Sequence, residues 1–182
     1  MAVGDDGIEV RRLGPEHAEA YVEVRQRMLR EEPWSFGSSP ADDLDRERRV
    51  TRDLLTSADW AYVAAVDADA IVSTARLFRT NRPKQAHAAA IVSVWTDPAY
   101  RGRGLGKRVL LEAFEVARGW PGIERIELSV SARCDPARRL YESLGFKCWG
   151  VQPDAMRVGG ESAAEYYMQV ALKSVVRSPS RP

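Results

Sequence analysis

Cysteine is scarce in this chain. Cys134 and Cys148 are the two it has in 182 residues, too few for a disulfide scaffold, so a reduced cytosolic state is the default. Long apolar runs are missing as well; nothing approaches the ~20 residues that a membrane-spanning helix needs. The start, Met1 to Val10, carries Asp5, Asp6 and Glu9 and lacks the apolar core of a signal peptide. A charge of one sign is also absent. The 27 Lys and Arg against 26 Asp and Glu leave a net charge of +1, which gives no global reason to bind nucleic acid or an anionic membrane. There is no internal repeat and no low-complexity block, and no metal site is expected. The remaining composition is that of an ordinary globular protein, long enough for one domain with a real core. A cytoplasmic monomer or homodimer is expected.

Periodicity supplies the elements. Residues 8–13 alternate as a short strand, and Gly14-Pro15 opens a helix with the apolar stripe Ala18, Tyr21, Val22, Met28 and Leu29, ended by Pro33. A loop over 34–40 follows, then a second helix from Asp42-Asp43 to about Ser57. Strands are expected at 60–66 and 70–78 around Asp67-Ala68-Asp69, then a polar loop from Arg79 to Gln85 and a strand from Ala88 to Trp95. A helix over 104–118, a strand over 123–130, a helix from an Asp135 N-cap to Leu144, and strands at 146–151 and 164–172 complete the order. That order implies a mixed α/β sheet covered by helices, in a single domain over residues 1–172 with a disordered tail over 173–182.

The densest signal is Arg101-Gly102-Arg103-Gly104-Leu105-Gly106, between a strand and an amphipathic helix. First-turn N–H groups have no intrahelical partner and the helix dipole favours an anion, so such a turn suits a phosphate or pyrophosphate. Arg101, Arg103, Lys107 and Arg108 add positive charge. A P-loop is excluded: Gly106-Lys107 is followed by Arg108, and the position of its first Gly holds Arg101. The dinucleotide fingerprint G-x-G-x-x-G also fails, because the turn reads G-x-G-x-G.

Arg101, Gly104 and Gly106 do fill the Q/R-x-x-G-x-G/A pattern, and Ala137-Arg138-Arg139-Leu140-Tyr141-Glu142-Ser143-Leu144-Gly145-Phe146 follows at a suitable distance. In these two ordered blocks the chain resembles the GCN5-related N-acetyltransferase (GNAT) superfamily, with weaker likeness over residues 8–172. The resemblance implies the acyl-CoA N-acyltransferase fold and acetyl-CoA as acyl donor. Its pyrophosphate would lie on Arg101, Gly102, Arg103, Gly104, Leu105, Gly106 and Lys107. Its pantetheine arm would meet the strand at Val94, Trp95 and Thr96, with Cys134 and Arg138 beside it. Cys134 stands where many relatives carry Asn, and a packing role suits it better than a nucleophilic one.

Tyr141 falls where the family places a Tyr near the CoA sulfur. A phenol of pKa ~10 donating to a thiolate of ~8.5 works uphill by only about 2 kcal/mol, so Tyr141 is a candidate general acid or else a packing residue. The base is less evident. An alkylammonium of pKa ~10 is handicapped by about 4 kcal/mol at pH 7, an α-amine of ~8 by about 1 kcal/mol. Histone-type relatives place a Glu on this strand where the chain has Ala88. His87, directly or through water, is the candidate in its place; water with no side-chain base is the alternative.

For the acceptor, the resemblance points to the loop between the first two helices and to the third and fourth strands. Trp34 and Phe36 either wall a pocket or anchor the loop, and Arg76 heads a basic cluster with Arg79, Arg82 and Lys84 that suits an anionic acceptor or is merely solvated. The expectation is an acetyl-CoA-dependent N-acetyltransferase of a small-molecule primary amine, acting by direct attack in a ternary complex. A protein Nα- or Lys-acetyltransferase and a catalytically weak acyl-CoA-binding module are the alternatives.

Overall fold

The computed structural model describes residues 2–3 and 7–175. Its elements in chain order are β1 (Ala2–Val3), β2 (Glu9–Arg12), α1 (Ala18–Glu31), α2 (Arg48–Thr56), β3 (Trp60–Asp67), β4 (Ala70–Arg79), β5 (Ala88–Thr96), α3 (Leu105–Arg118), β6 (Arg125–Ser131), α4 (Asp135–Ser143), β7 (Lys147–Val158) and β8 (Glu161–Ala171). The eight strands form one sheet in the order β1-β2-β3-β4-β5-β6-β8-β7. All neighbours pair antiparallel except β5 and β6, which run parallel across the α3 crossover.

The period of two along a strand explains the layers. In β3, Ala61, Val63 and Ala65 face the α3 side, where Leu105, Val109, Leu110, Ala113, Phe114 and Ala117 are buried with them. Tyr62, Ala64 and Val66 face the opposite side and pack on Ala18 and Tyr21 of α1 and Leu55 of α2. A strand covered on both faces has no solvent side, which is why β3 reads as a continuous apolar run. The mixed α/β sheet flanked by helices is the expected architecture.

The differences lie at element ends. Pro15–His17 form a 3-10 turn before α1, and Val22 is only half-buried while Arg25 is buried in its stead. The second helix starts at Arg48 rather than Asp42, because Asp43 and Asp45 are drawn into buried ion pairs and leave only a 3-10 turn over Leu44–Arg46. Cys134, not Asp135, is the N-cap of α4, and it offers no side-chain cap. The last hairpin is longer than expected, turning at Gly159-Gly160 with an irregular register between Gln152 and Met156. The chain also stays ordered past Ala171. Leu172–Ser174 form a 3-10 turn, Val175 is buried, and Arg118 Nη2 donates to the Val175 carbonyl at 2.9 Å. The rest of the expected tail, 176–182, lies outside the described residues.

Candidate active site

Two irregularities in β5 make the site. Its parallel pairing with β6 is confined to Ala88–Ala90 against Arg125–Glu127, and no pairing follows beyond these residues. On the other edge, Thr74 pairs with Trp95 and Arg76 with Val92, so Ser93 and Val94 together oppose Ala75. This is a β-bulge, with Ser93 at φ 55°, and a bulge bends a strand and re-aims its side chains. Arg76 Nε donates to Ser93 Oγ at 3.0 Å and fixes that bend. The unpaired edges of β5 and β6 border a narrow slot lined by Ser35, Val92, Ser93, Val94, Ser129, Cys134 and Tyr141.

The glycine turn stands at one end of β5. Gly102 and Gly104 take φ 79° and 73°, the left-handed region that glycine adopts freely. Gly106 is needed for a different reason: a Cβ there would stand 3.2 Å from Leu140 Cδ2 and 3.4 Å from Thr96 Oγ1. The start of α3 is therefore wedged between the end of β5 and α4. Among the described residues, the N–H groups of residues 102–107 find no backbone acceptor. Arg101 ties the turn down, donating from Nε to the Thr96 carbonyl at 3.2 Å and pairing with Glu32. Gly102, Arg103, Gly104 and Lys107 are exposed, and Arg103 lies over the Tyr100 ring. Arg108 does not join this charge; its Nη2 donates to the Ile8 carbonyl.

From α4, Tyr141 reaches the slot while 5% exposed. Burial, and secondarily Cys134, push its phenol well above the usual range, so it stays protonated. Cys134 Sγ lies 3.3 Å from Ser35 Oγ and donates to the Trp34 carbonyl at 3.6 Å, joining α4 to the loop after α1. Arg138 is engaged by Asp135 and Glu142 and lies over Tyr166.

Other candidates are placed differently. His87 is at the far end of β5, six residues before Ser93, which is about 20 Å along a strand. There Arg125 Nη1 donates to His87 Nε2 at 2.8 Å, in a separate open pocket with Arg118 and Lys173. The structure therefore does not bring His87 to Tyr141. Phe36 is buried with Met28, Leu29 and Trp95 under Arg25, so it anchors the loop rather than walling a pocket. The Trp95 side chain points into the same cluster, away from the slot. Trp34 is half-buried beneath Arg133. Arg76 is not at the surface where an acceptor would meet it; it is buried, paired with Asp45, and the neighbouring Arg79 is paired with Asp59.

Sequence reasoning missed the buried polar cluster beneath this loop. Arg25 Nη2 donates to Asp43 Oδ2 at 2.6 Å, and Tyr62 donates to Asp45 Oδ1 at 2.7 Å. The signal was there in Asp42-Asp43 and Asp45, but such residues also suit a helix first turn, and the sequence does not distinguish the two uses. It missed Glu165 too, which accepts from Ser129 Oγ at 2.8 Å. Among the described residues, no cluster of His, Cys, Asp and Glu fit to hold a metal occurs, and no helix is long and apolar enough to cross a membrane.

Known proteins are similar to this chain in sequence and fold. Residues 21–146 match the model of the acetyltransferase (GNAT) family. The chain is 28% identical to the L-amino acid N-acetyltransferase AaaT of Escherichia coli over 129 residues, covering 71% of this chain and 76% of that protein. It is 33% identical to the N-alpha-acetyltransferase RimI of Mycobacterium tuberculosis over 138 residues, covering 76% and 77% respectively. Its fold superposes with a TM-score of 0.77 on yncA of Salmonella typhimurium, solved with its cofactor acetyl-CoA, at 18% identity over 96% of this chain and 99% of that one. The chain belongs to the GNAT family and is an acyltransferase, an N-acetyltransferase that takes acetyl-CoA as its acyl donor.

Proposed function

We propose that the acceptor is the primary amine of a small molecule, acetylated by direct attack within a ternary complex. The observation that carries this reading is the closure of the acceptor side. The segment between α1 and α2 is pinned by the buried Arg25–Asp43 and Arg76–Asp45 pairs and by Phe36. It leaves a slot edged by the short side chains of Ser35, Ser93 and Ser129. A pinned segment of this kind suits a compact acceptor better than an extended chain.

Bound acetyl-CoA supplies an activated thioester. The N–H groups of residues 102–107, with Arg103 and Lys107 beside them, suit its pyrophosphate by donor geometry and charge. The backbone of Val94 to Thr96, on the edge of β5 that β6 leaves unpaired, suits the pantetheine arm. Tyr141 acts as proton donor to the departing sulfur. Burial makes a phenolate costly, but it penalises a thiolate in the same slot as well, so the gap between donor and acceptor stays small.

Protein N-termini form the second reading, supported by the likeness to RimI and by a slot lining that holds neither carboxylate nor histidine. A peptide α-amine of pKa ~8 needs only about 1 kcal/mol to deprotonate at pH 7. Thiol release from acetyl-CoA decides between them, measured with L-amino acids, spermidine and short peptides. The expected order places amino acids first; a peptide with the highest kcat/KM would overturn the small-molecule reading.

A further inference from the structure

The residues lining the slot include no carboxylate and no histidine, yet an alkylammonium must lose a proton before it can attack. A side-chain proton acceptor therefore works through a residue of the lining, water with no side-chain base being the alternative that the test below decides. Ser93 leads to Arg76, a cation that accepts nothing. Ser35 leads to Cys134. Asp45 is committed to Arg76 and Tyr62, and Glu127 to Arg125. Among the described residues, Ser129 alone of the lining leads to an uncommitted carboxylate, donating from Oγ to Glu165 Oε1 at 2.8 Å.

We propose that Glu165, acting through Ser129, takes the proton that the incoming ammonium loses; this rests on the amine-acetylation reading above. Ser129 pairs with Tyr167 and Ser131 with Glu165 across β6 and β8. Ser129 and Glu165 are thus diagonal neighbours on one sheet face. That face is opposite the one on which Leu128, Val130 and Met168 enter the core. Gln152 pairs with Glu165 from β7. On its own strand, Tyr167 donates to Gln152 Oε1 at 2.7 Å, and burial, then the charge of Glu165 and a hydrogen bond to it, raise its phenol. The cation nearest in sequence to Ser131, Arg133, is held by Glu161.

The proton balance closes. The ammonium passes one proton to Ser129 Oγ as the Ser129 hydroxyl proton moves to Glu165 Oε1, turning carboxylate into carboxylic acid. Glu165 later returns that proton to solvent. The freed lone pair forms the C–N bond as the C–S bond breaks, Tyr141 gives its proton to the departing sulfur, and the second nitrogen proton restores the Tyr141 hydroxyl.

The test is Glu165→Gln, with kcat/KM for a small primary alkylamine followed from pH 7 to pH 10. The expected loss is ~10²-fold at pH 7, typical of a general base, shrinking as pH approaches the pKa of the amine. O-Methylhydroxylamine, a nucleophile already neutral at pH 7, is expected to react equally with variant and wild type. Ser129→Ala reproduces the Glu165→Gln profile, Glu165→Asp keeps the wild-type shape, and the acetyl-CoA Kd is unchanged in all three. A deficit that is constant with pH, an equal loss with O-methylhydroxylamine, or an unchanged kcat/KM overturns the proposal. A readout without turnover is the carboxyl 13C titration of Glu165 in the CoA complex. It is expected to move when the amine is added, and an unmoved titration also overturns the proposal. Wild-type protein that acetylates no amine refutes the acceptor reading instead, and the 13C titration still decides the role of Glu165.

Discussion

Asp45 is one of the buried charges of the protein. It is fully buried, pairs with Arg76, and accepts from the Tyr62 hydroxyl at 2.7 Å and from Thr51 Oγ1 at 3.3 Å. Asp45→Ala leaves the Arg76 guanidinium buried without its counter-charge and Tyr62 without its acceptor. Breaking one side of a buried pair costs about 3–5 kcal/mol, a large share of the about 5–15 kcal/mol that holds a domain together. For a chain of this size each kcal/mol moves Tm by about 2–4 °C, so a fall of about 6–20 °C is expected by calorimetry. Burial already lowers the Arg76 pKa, in keeping with a charge that depends on its partner. The double variant Asp45→Leu with Arg76→Met removes both charges and is expected to regain at least about 1 kcal/mol over Asp45→Ala, since apolar replacements of buried pairs are often neutral or better. It should nevertheless stay slow in turnover, because the bond from Arg76 to Ser93 beside the slot is gone. A Tm for Asp45→Ala within about 2 °C of wild type would refute the reasoning. So would a double variant no more stable than the single one.

Tyr141→Phe is expected to lower kcat by ~10²-fold with the acetyl-CoA Kd unchanged; equal kcat would leave Tyr141 a packing residue. The same substitution has a signature in stability. Burial raises the folded pKa of Tyr62 and Tyr141 above the unfolded value of ~10. Above that pH the unfolded chain loses protons that the folded one keeps, so stability falls as pH rises, by about 1.4 kcal/mol per pH unit for each tyrosine. Urea unfolding between pH 9 and 11, which straddles the unfolded pKa, is expected to lose about 1.4 kcal/mol per tyrosine over the two units, and half the total in Tyr141→Phe. Gly106→Val places methyl groups where Leu140 and Thr96 already stand. Overpacking of about 1–3 kcal/mol should weaken acetyl-CoA binding by ~10- to 100-fold in calorimetric titration, and an unchanged Kd would refute the wedge described for that turn.

Much of this was legible in the sequence. The glycine turn announces itself because backbone conformation there depends on missing side chains, a local property. The apolar stripe of α3 and the alternation of the strand over 123–130 follow from periodicity, which is local as well. From these the sheet with its helices could be read; the family and the acyl donor came from the resemblance carried by Arg101, Gly104 and Gly106 together with the block from Ala137 to Phe146. The placement of His87, Arg76 and Phe36 could not. His87 and Ser93 lie six positions apart on one strand, and extended backbone turns that short spacing into a wide separation. Arg76 looked like a surface cation until α1 and the segment before α2 brought Asp43 and Asp45 over it. Ser129 and Glu165 are brought together by antiparallel register between β6 and β8. Sequence alone determined the elements and the anion-binding turn, since each depends on neighbours within a few residues, and implied the donor through the family resemblance. Tertiary structure decided which charges are buried in pairs and which carboxylate reaches the slot, because those contacts join residues 17 to 36 positions apart or more, through pairing registers and helix packing that no local pattern encodes.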